Sequence, residues 1–412
     1  MPSEPALLLR HHRPFIAFWL ARIFTASGFQ MLTVAIGWNL YQLTGNVLDL
    51  GLVGLVEFIP RVLFMLHTGH VADRYERRKV AAICQTVQAL IALSLAMGGL
   101  TGSVTREMIF ILAFLLGAAR SFEMPTTQAL LPSIVPSALF PRAVASSQSA
   151  QQLATFVAPA LGGLLYAFGS VWVYGPTVAL YLIACVLTLN LPARQTPLNK
   201  AKSTLDSLLA GIRFIRSRPD ILGAISLDLF AVLLGGATAL LPVFAKDILL
   251  TGAWGLGLLR SAPAVGALLM SLWLARFSVD RQVGRVMFTA VGVFGVATIA
   301  FGLSTSFWFS LAVLVVLGAA DMISMVIRAS FVQLETPDEM RGRVSAVNGL
   351  FIGASNQLGE FESGITAHWF GTVPAVVMGG VGTLLVTGVW IKLFPSLANR
   401  DRMHVPVEEA NV

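Results

Sequence analysis

Charge is scarce in this chain. Lys, Arg, Asp and Glu make up 12% of its 412 residues, about half of the roughly 25% usual in soluble domains. So few charged groups cannot coat the several soluble domains that this length would otherwise suggest. Cysteine is scarcer still: Cys84 and Cys185 both lie in apolar runs, which excludes a disulfide framework or a zinc cluster. The histidines are scattered (His11, His12, His67, His70, His368, His404), and no three potential ligands stand together. No metal site, no cofactor and no enzyme-type nucleophile–base set is therefore expected. No G-x-x-x-x-G-K-[ST] string is present, so nothing points to ATP as the energy source. A hydrophobic share of 56% excludes disorder, collagen and coiled coil.

What the chain has instead is long apolar runs, and its mean hydropathy is +0.77. About 20 such residues in a helix cross ~30 Å of hydrocarbon. Twelve stretches meet that length: 14–41, 48–68, 80–100, 106–123, 142–168, 172–191, 220–245, 253–275, 286–304, 306–328, 342–369 and 372–394. They are too long and too evenly apolar for barrel strands. The expected fold class is an all-α membrane protein with twelve transmembrane helices. Of the 28 Lys and Arg, 23 fall on the side carrying both termini and the loops after even-numbered spans, or at its edge. That asymmetry places both termini in the cytoplasm. The net charge of +7 follows from these loops facing anionic membrane lipid, so no nucleic-acid partner is needed to explain it.

The longest cytoplasmic connection, 192–219, separates an N-terminal six-helix bundle (1–191) from a C-terminal one with a short tail (220–412). Within it, Leu205, Leu208, Leu209 and Ile212 recur at helical spacing after Ser203, a candidate N-cap. This segment reads as an amphipathic helix lying on the membrane surface. The halves repeat weakly. Pro136, Arg142 and Gly163 fall on Pro337, Arg343 and Gly364 at an offset of 201; Asp73-Arg74 and Gly28 fall on Asp280-Arg281 and Gly235 at 207. Such matches fit two pseudo-symmetric six-helix units.

Two motifs stand out. After span 2 the chain reads Gly69-His70-Val71-Ala72-Asp73-Arg74-Tyr75-Glu76-Arg77-Arg78-Lys79. The glycine permits close helix packing, and the charge set at the rim can pair in one conformation and release in another. Span 5 carries Ala158-Pro159-Ala160-Leu161-Gly162-Gly163, where proline bends the helix and small residues admit a neighbour.

The first string resembles motif A of the major facilitator superfamily, with Gly69, Asp73, Arg74, Arg77 and Arg78 at its positions. The second resembles the end of motif C, which marks antiporters, through Pro159, Gly162 and Gly163. A drug-antiporter motif B would need a buried arginine in span 4. Residues 110–117 contain none, and Arg120 is placed at the cytoplasmic end. Leu20-Ala21-Arg22, Ala72–Arg77, Ser207–Phe214 and Gly342-Arg343 after Thr336-Pro337 resemble the enterobactin exporters and related efflux proteins. The resemblance implies the major facilitator fold, a bacterial inner-membrane location, a monomer, and export of a small molecule.

Ionisable groups inside spans are costly, and each is a candidate site. Asp228, Asp321, Glu360, Glu57 and Arg22 are the proton-coupling candidates. In the implied architecture spans 1 and 7 are equivalent, so Arg22 and Asp228 are expected to pair across a cavity; the alternative is a partner within each half. Glu57 and Arg61, at i and i+4, are expected to pair on one helix face. Glu360 and Glu362, two residues apart, point about 200° away from each other, so one at most faces a cavity squarely. Glu123, at the cytoplasmic end of span 4, is read as a structural partner for Arg74 or Arg77. Phe24, Gln30, Trp38, Gln148, Gln151 and Gln152 are the substrate-contact candidates, with helix–helix hydrogen bonding as the alternative for the amides.

The expected function is proton-coupled secondary export of small amphipathic organic molecules, a siderophore foremost, by alternating access. The partners are the solute, protons and membrane lipid. A multidrug antiporter, a lipid flippase or importer on the same fold, and a non-transporting membrane sensor remain open.

Overall fold

Long apolar runs in a chain with few breakers give helices, and the ends are set by local chemistry. Helix α1 (Arg13–Thr44) opens with Pro14 in its first turn, and His12 Nδ1 accepts from the Phe15 N–H. It closes on Gly45, which takes the left-handed conformation that glycine adopts at low cost. Helix α4 (Arg106–Ile134) opens on Thr105, whose hydroxyl accepts from the Met108 N–H at 3.2 Å. The structure, a computed structural model, describes residues 9, 12–192, 205–277, 279 and 281–403. Ser203 and Asp280 lie outside the described residues, as does the side chain of Asp73.

The other long helices are α2 (Val47–Arg74), α3 (Arg77–Thr101), α5 (Phe140–Ala167), α6 (Ser170–Leu189), α7 (Leu205–Ser217), α8 (Pro219–Leu234), α9 (Gly252–Arg276), α10 (Val283–Gly302), α11 (Phe307–Glu335), α12 (Asp338–Phe370) and α13 (Thr372–Leu393). No strand occurs among the described residues. Nine stretches among them are long and apolar enough to cross a membrane. Helices α2, α5 and α12, of 28, 28 and 33 residues, lie outside that set. The chain is a multi-pass membrane protein.

The seventh apolar run is not the continuous helix expected over 220–245. Helix α8 stops at Leu234, and the chain continues through Gly235-Gly236, a 3₁₀ turn (Ala237–Leu240), a short turn of α-helix around Pro242 and a π-helical turn (Phe244–Ile248). Adjacent glycines and a proline without an N–H donor undo the regular ladder there.

The chain forms two compact units, each taking in a short segment from the other half of the sequence. Unit 1 comprises Met1–Gly45, Val56–Lys202 and Thr251–Ser261. In it α1 lies on α5 and α6, while α3 lies on α4 and α6. Phe15, Phe18, Leu130, Leu131 and Leu191 form one of its cores. Unit 2 comprises Asn46–Leu55, Ser203–Leu250 and Ala262–Val412. There α10 lies on α11 and α13, and α8 on α12 and α13.

Helix α7 packs one side against α8 and α12. Its Ile215 is buried with Ile221, Ile225, Val332, Val344 and Val347, and Ile212 and Phe214 pack against the same cluster. A Cβ at Gly211 would meet the Arg343 backbone. Ile212 and Ile215 thus meet protein at the start of α12, while Leu209 of the expected apolar face is exposed and the side chains of Leu205 and Leu208 lie outside the described residues.

Candidate functional site

A buried ion pair centres unit 2. Arg328 of α11 holds the Asp228 carboxylate of α8, with side chains only 5% and 9% exposed. Asp321, Ser324 and Arg328 follow at i, i+3 and i+7, which aligns them along one face of α11. Asp228, Asp321 and Ser324 line one small pocket, and Asp228 and Arg328 are the charged neighbours of Asp321. Asp321 also lines a cavity of about 160 Å³ with Gly235, Gly236, Thr238 and Asn356.

Arg328 was not among the candidates, because the apolar run ends on it and it reads as a rim charge. The helix continues to Glu335, about two turns further. Each member of the expected Arg22–Asp228 pair has a partner in its own unit. Arg22 donates to Gln151 Oε1, and Asp228 pairs with Arg328.

Unit 1 carries a polar cavity of about 260 Å³, lined by Arg22 and Thr25 of α1, Gln85 of α3, Arg120 and Glu123 of α4, and Gln148 and Gln151 of α5, among others. Two expectations are corrected here. Arg120 and Glu123 do not sit at the end of span 4. Helix α4 stays regular through Ile134, so both fall near its middle. Glu123 is 4% exposed and accepts from Gln88 Nε2 at 2.8 Å. It is therefore not the partner of Arg74 or Arg77, and Arg22 and Arg120 are its charged neighbours. The Arg120 guanidinium lies over the Phe29 ring, 3.8 Å from its centroid. Of the substrate-contact candidates, Gln148 and Gln151 line this cavity. Trp38 is buried in the core of unit 1, Gln152 is exposed, and Phe24 and Gln30 are half-buried outside the lining.

The offset of 201 carries a signal that the motifs did not. It sets Gly117 on Gly318 and Arg120 on Asp321. In unit 1 a Cβ at Gly117 would overlap the Glu57 carbonyl of α2; in unit 2 one at Gly318 would overlap the Pro263 carbonyl of α9. The same backbone-to-backbone crossing therefore recurs, and three residues beyond it each unit carries an ionisable group of opposite sign.

The remaining candidates are more local. Glu57 Oε1 accepts from Arg61 at 2.6 Å within α2. Glu360 stands against Gly54, and Glu362 accepts from the Thr366 hydroxyl at 2.8 Å. Pro159 is buried. Gly162 faces Met31 of α1, and a Cβ at Gly163 would overlap the Ala253 backbone of α9; these small residues serve close packing.

At the rim, Gly69 is half-buried and Arg74 exposed. Arg77 donates to the Ala129 carbonyl at 3.1 Å. Arg78 donates to the Leu189 and Leu191 carbonyls at 3.2 and 2.8 Å. These are orphan acceptors at the end of α6, where a cation is favoured. Glu76 completes the group with Arg78 and Lys79; hydrogen bonds from Lys79 and Arg78 hold its carboxyl below the usual carboxylate range. Arg78→Ala is expected to lower stability by about 1.5–3 kcal/mol through these charge-assisted bonds. Thermal unfolding of the purified protein checks this; an unchanged midpoint would contradict the capping role.

A profile of the family described as transmembrane secretion effector matches residues 8–409. The chain belongs to that family, within the major facilitator superfamily. The enterobactin exporter EntS of Escherichia coli O1:K1 is 27% identical over 380 residues, covering 92% of this chain and 87% of that protein. Its counterpart in Citrobacter koseri is 28% identical over the same shares. Among solved structures, a bacterial homologue of the iron transporter ferroportin superposes with a TM-score of 0.69 at 20% identity, covering 94% of this chain and 99% of that one. The peptide transporter POT gives 0.72 at 10% identity, covering 98% of each. At these identities the structures speak for the fold, which is that of a membrane transporter.

Proposed function

We propose that the chain is a proton-coupled exporter of small amphipathic organic molecules, with a siderophore as the foremost solute, working by alternating access. In this reading it is a monomer of twelve spans in the bacterial inner membrane, with both termini in the cytoplasm. The observation that carries the coupling is the Asp228–Arg328 pair with Asp321 beside it. A carboxylate pair sharing one arginine in a membrane bundle is costly to keep fully ionised. Taking up a proton lets one carboxylate release its hold without leaving two bare negative charges. Export as the direction is supported by likeness to the enterobactin exporters.

The test is reconstitution into proteoliposomes with an imposed pH gradient and a trapped pH dye. A catecholate siderophore and a lipophilic dye are offered in turn. Solute-dependent proton movement is expected with at least one of them. Solute movement indifferent to the gradient would end the proton-coupled reading.

A further inference from the structure

We propose that the unit 1 cavity is an anion subsite, in which Arg22 and Arg120 hold a carboxylate or comparable oxyanion of the transported solute. The inference rests on the transporter reading and names the chemistry of one of its sites. The cavity carries two guanidinium groups and one carboxylate. The carboxylate, Glu123, is buried and engaged by Gln88, and two guanidinium groups against one carboxylate give the lining a surplus of one positive charge. A charge so placed favours an incoming counter-charge.

The geometry suits an oxyanion. The face of the Arg120 guanidinium is taken by Phe29. Its N–H donors lie in the guanidinium plane, so stacking leaves them free to grip an acceptor edge-on. Its Nε is buried and has no hydrogen-bond partner among the described residues, and the same holds for Thr127 Oγ1 on the same wall. Arg22 is steadied from one side by Gln151. Phe18 and Met124 supply apolar wall, and the volume of about 260 Å³ accommodates a bicyclic aromatic acid. The corresponding site in unit 2, with Asp228 and Asp321 around Arg328, has the opposite surplus, so the anion preference belongs to unit 1.

The test is equilibrium dialysis of the purified full chain in detergent against naphthoate and naphthamide, which match in shape and differ in charge. Naphthoate is expected to bind at least about tenfold more tightly than naphthamide, as charge-assisted bidentate bonds demand. Arg120→Gln and Arg22→Gln should each remove most of that preference; Arg120→Lys should retain part of it. Equal binding of the two probes, binding of neither, or a preference that survives both glutamine variants would overturn the proposal. The wild-type comparison does not depend on any variant folding. No pH gradient is imposed in the dialysis, so its outcome is separate from that of proton coupling. A protein that prefers naphthoate yet ignores pH gradients would sink the coupling and spare the subsite.

Discussion

Exchanging Asp228 for asparagine is expected to stop pH-driven transport and to destabilise the protein by about 3–5 kcal/mol, the usual cost of breaking a buried ion pair from one side. The side chains of Asp228 and Arg328 are almost wholly withdrawn from solvent. Asparagine keeps the shape but takes the ion-pair partner from the guanidinium, leaving Asp321 as its charged neighbour. Two measurements separate the effects. Thermal unfolding reads stability, and proton movement in proteoliposomes reads coupling. The double variant Asp228→Asn with Arg328→Gln removes both charges, so it should recover most of the lost stability while transport stays absent. Transport at the wild-type rate in Asp228→Asn would remove this carboxylate from the mechanism. Failure of the double variant to regain stability would show that the pair is not the dominant interaction at that place.

The second large effect is steric. Gly117→Val is expected to prevent proper folding of unit 1, because its Cβ would overlap the Glu57 carbonyl. Overpacking ordinarily costs about 1–3 kcal/mol when a flexible side chain can give way. Here the obstacle is backbone, and relief requires α2 and α4 to separate along their crossing. Gly117→Ala should be milder but still destabilising, and Gly318→Val should act in the same way in unit 2, against Pro263. The fraction of monodisperse protein recovered after extraction from membranes reads the outcome. A normal yield of Gly117→Val would mean that this crossing is looser than the geometry indicates.

What was legible in the sequence follows from the range of each signal. Glu57 and Arg61 lie one turn apart, so their pairing is a local fact that spacing expresses. Asp228 and Arg328 are brought together only by tertiary packing, and neither neighbourhood in sequence carries a sign of the other. Hydropathy located the long apolar helices because it measures the surface fit to face lipid. It misplaced Arg120, Glu123 and Arg328 because the apolar run stops at the first charges while the helix does not. The small residues of α5 were legible as packing elements; which helix each one admits, α1 for Gly162 and α9 for Gly163, required the fold.

The break after α8 has a consequence for hydration. Peptide groups that leave the helical ladder within an apolar run are tolerated only when enclosed by protein or bathed by water. The loosened segment at Gly235 and Gly236 forms one wall of the hollow that reaches Asp321, and its roughly 160 Å³ would hold about five water molecules at ~30 Å³ each. The same irregularity that interrupts the helix thus leaves beside Asp321 a hollow with room for ordered water.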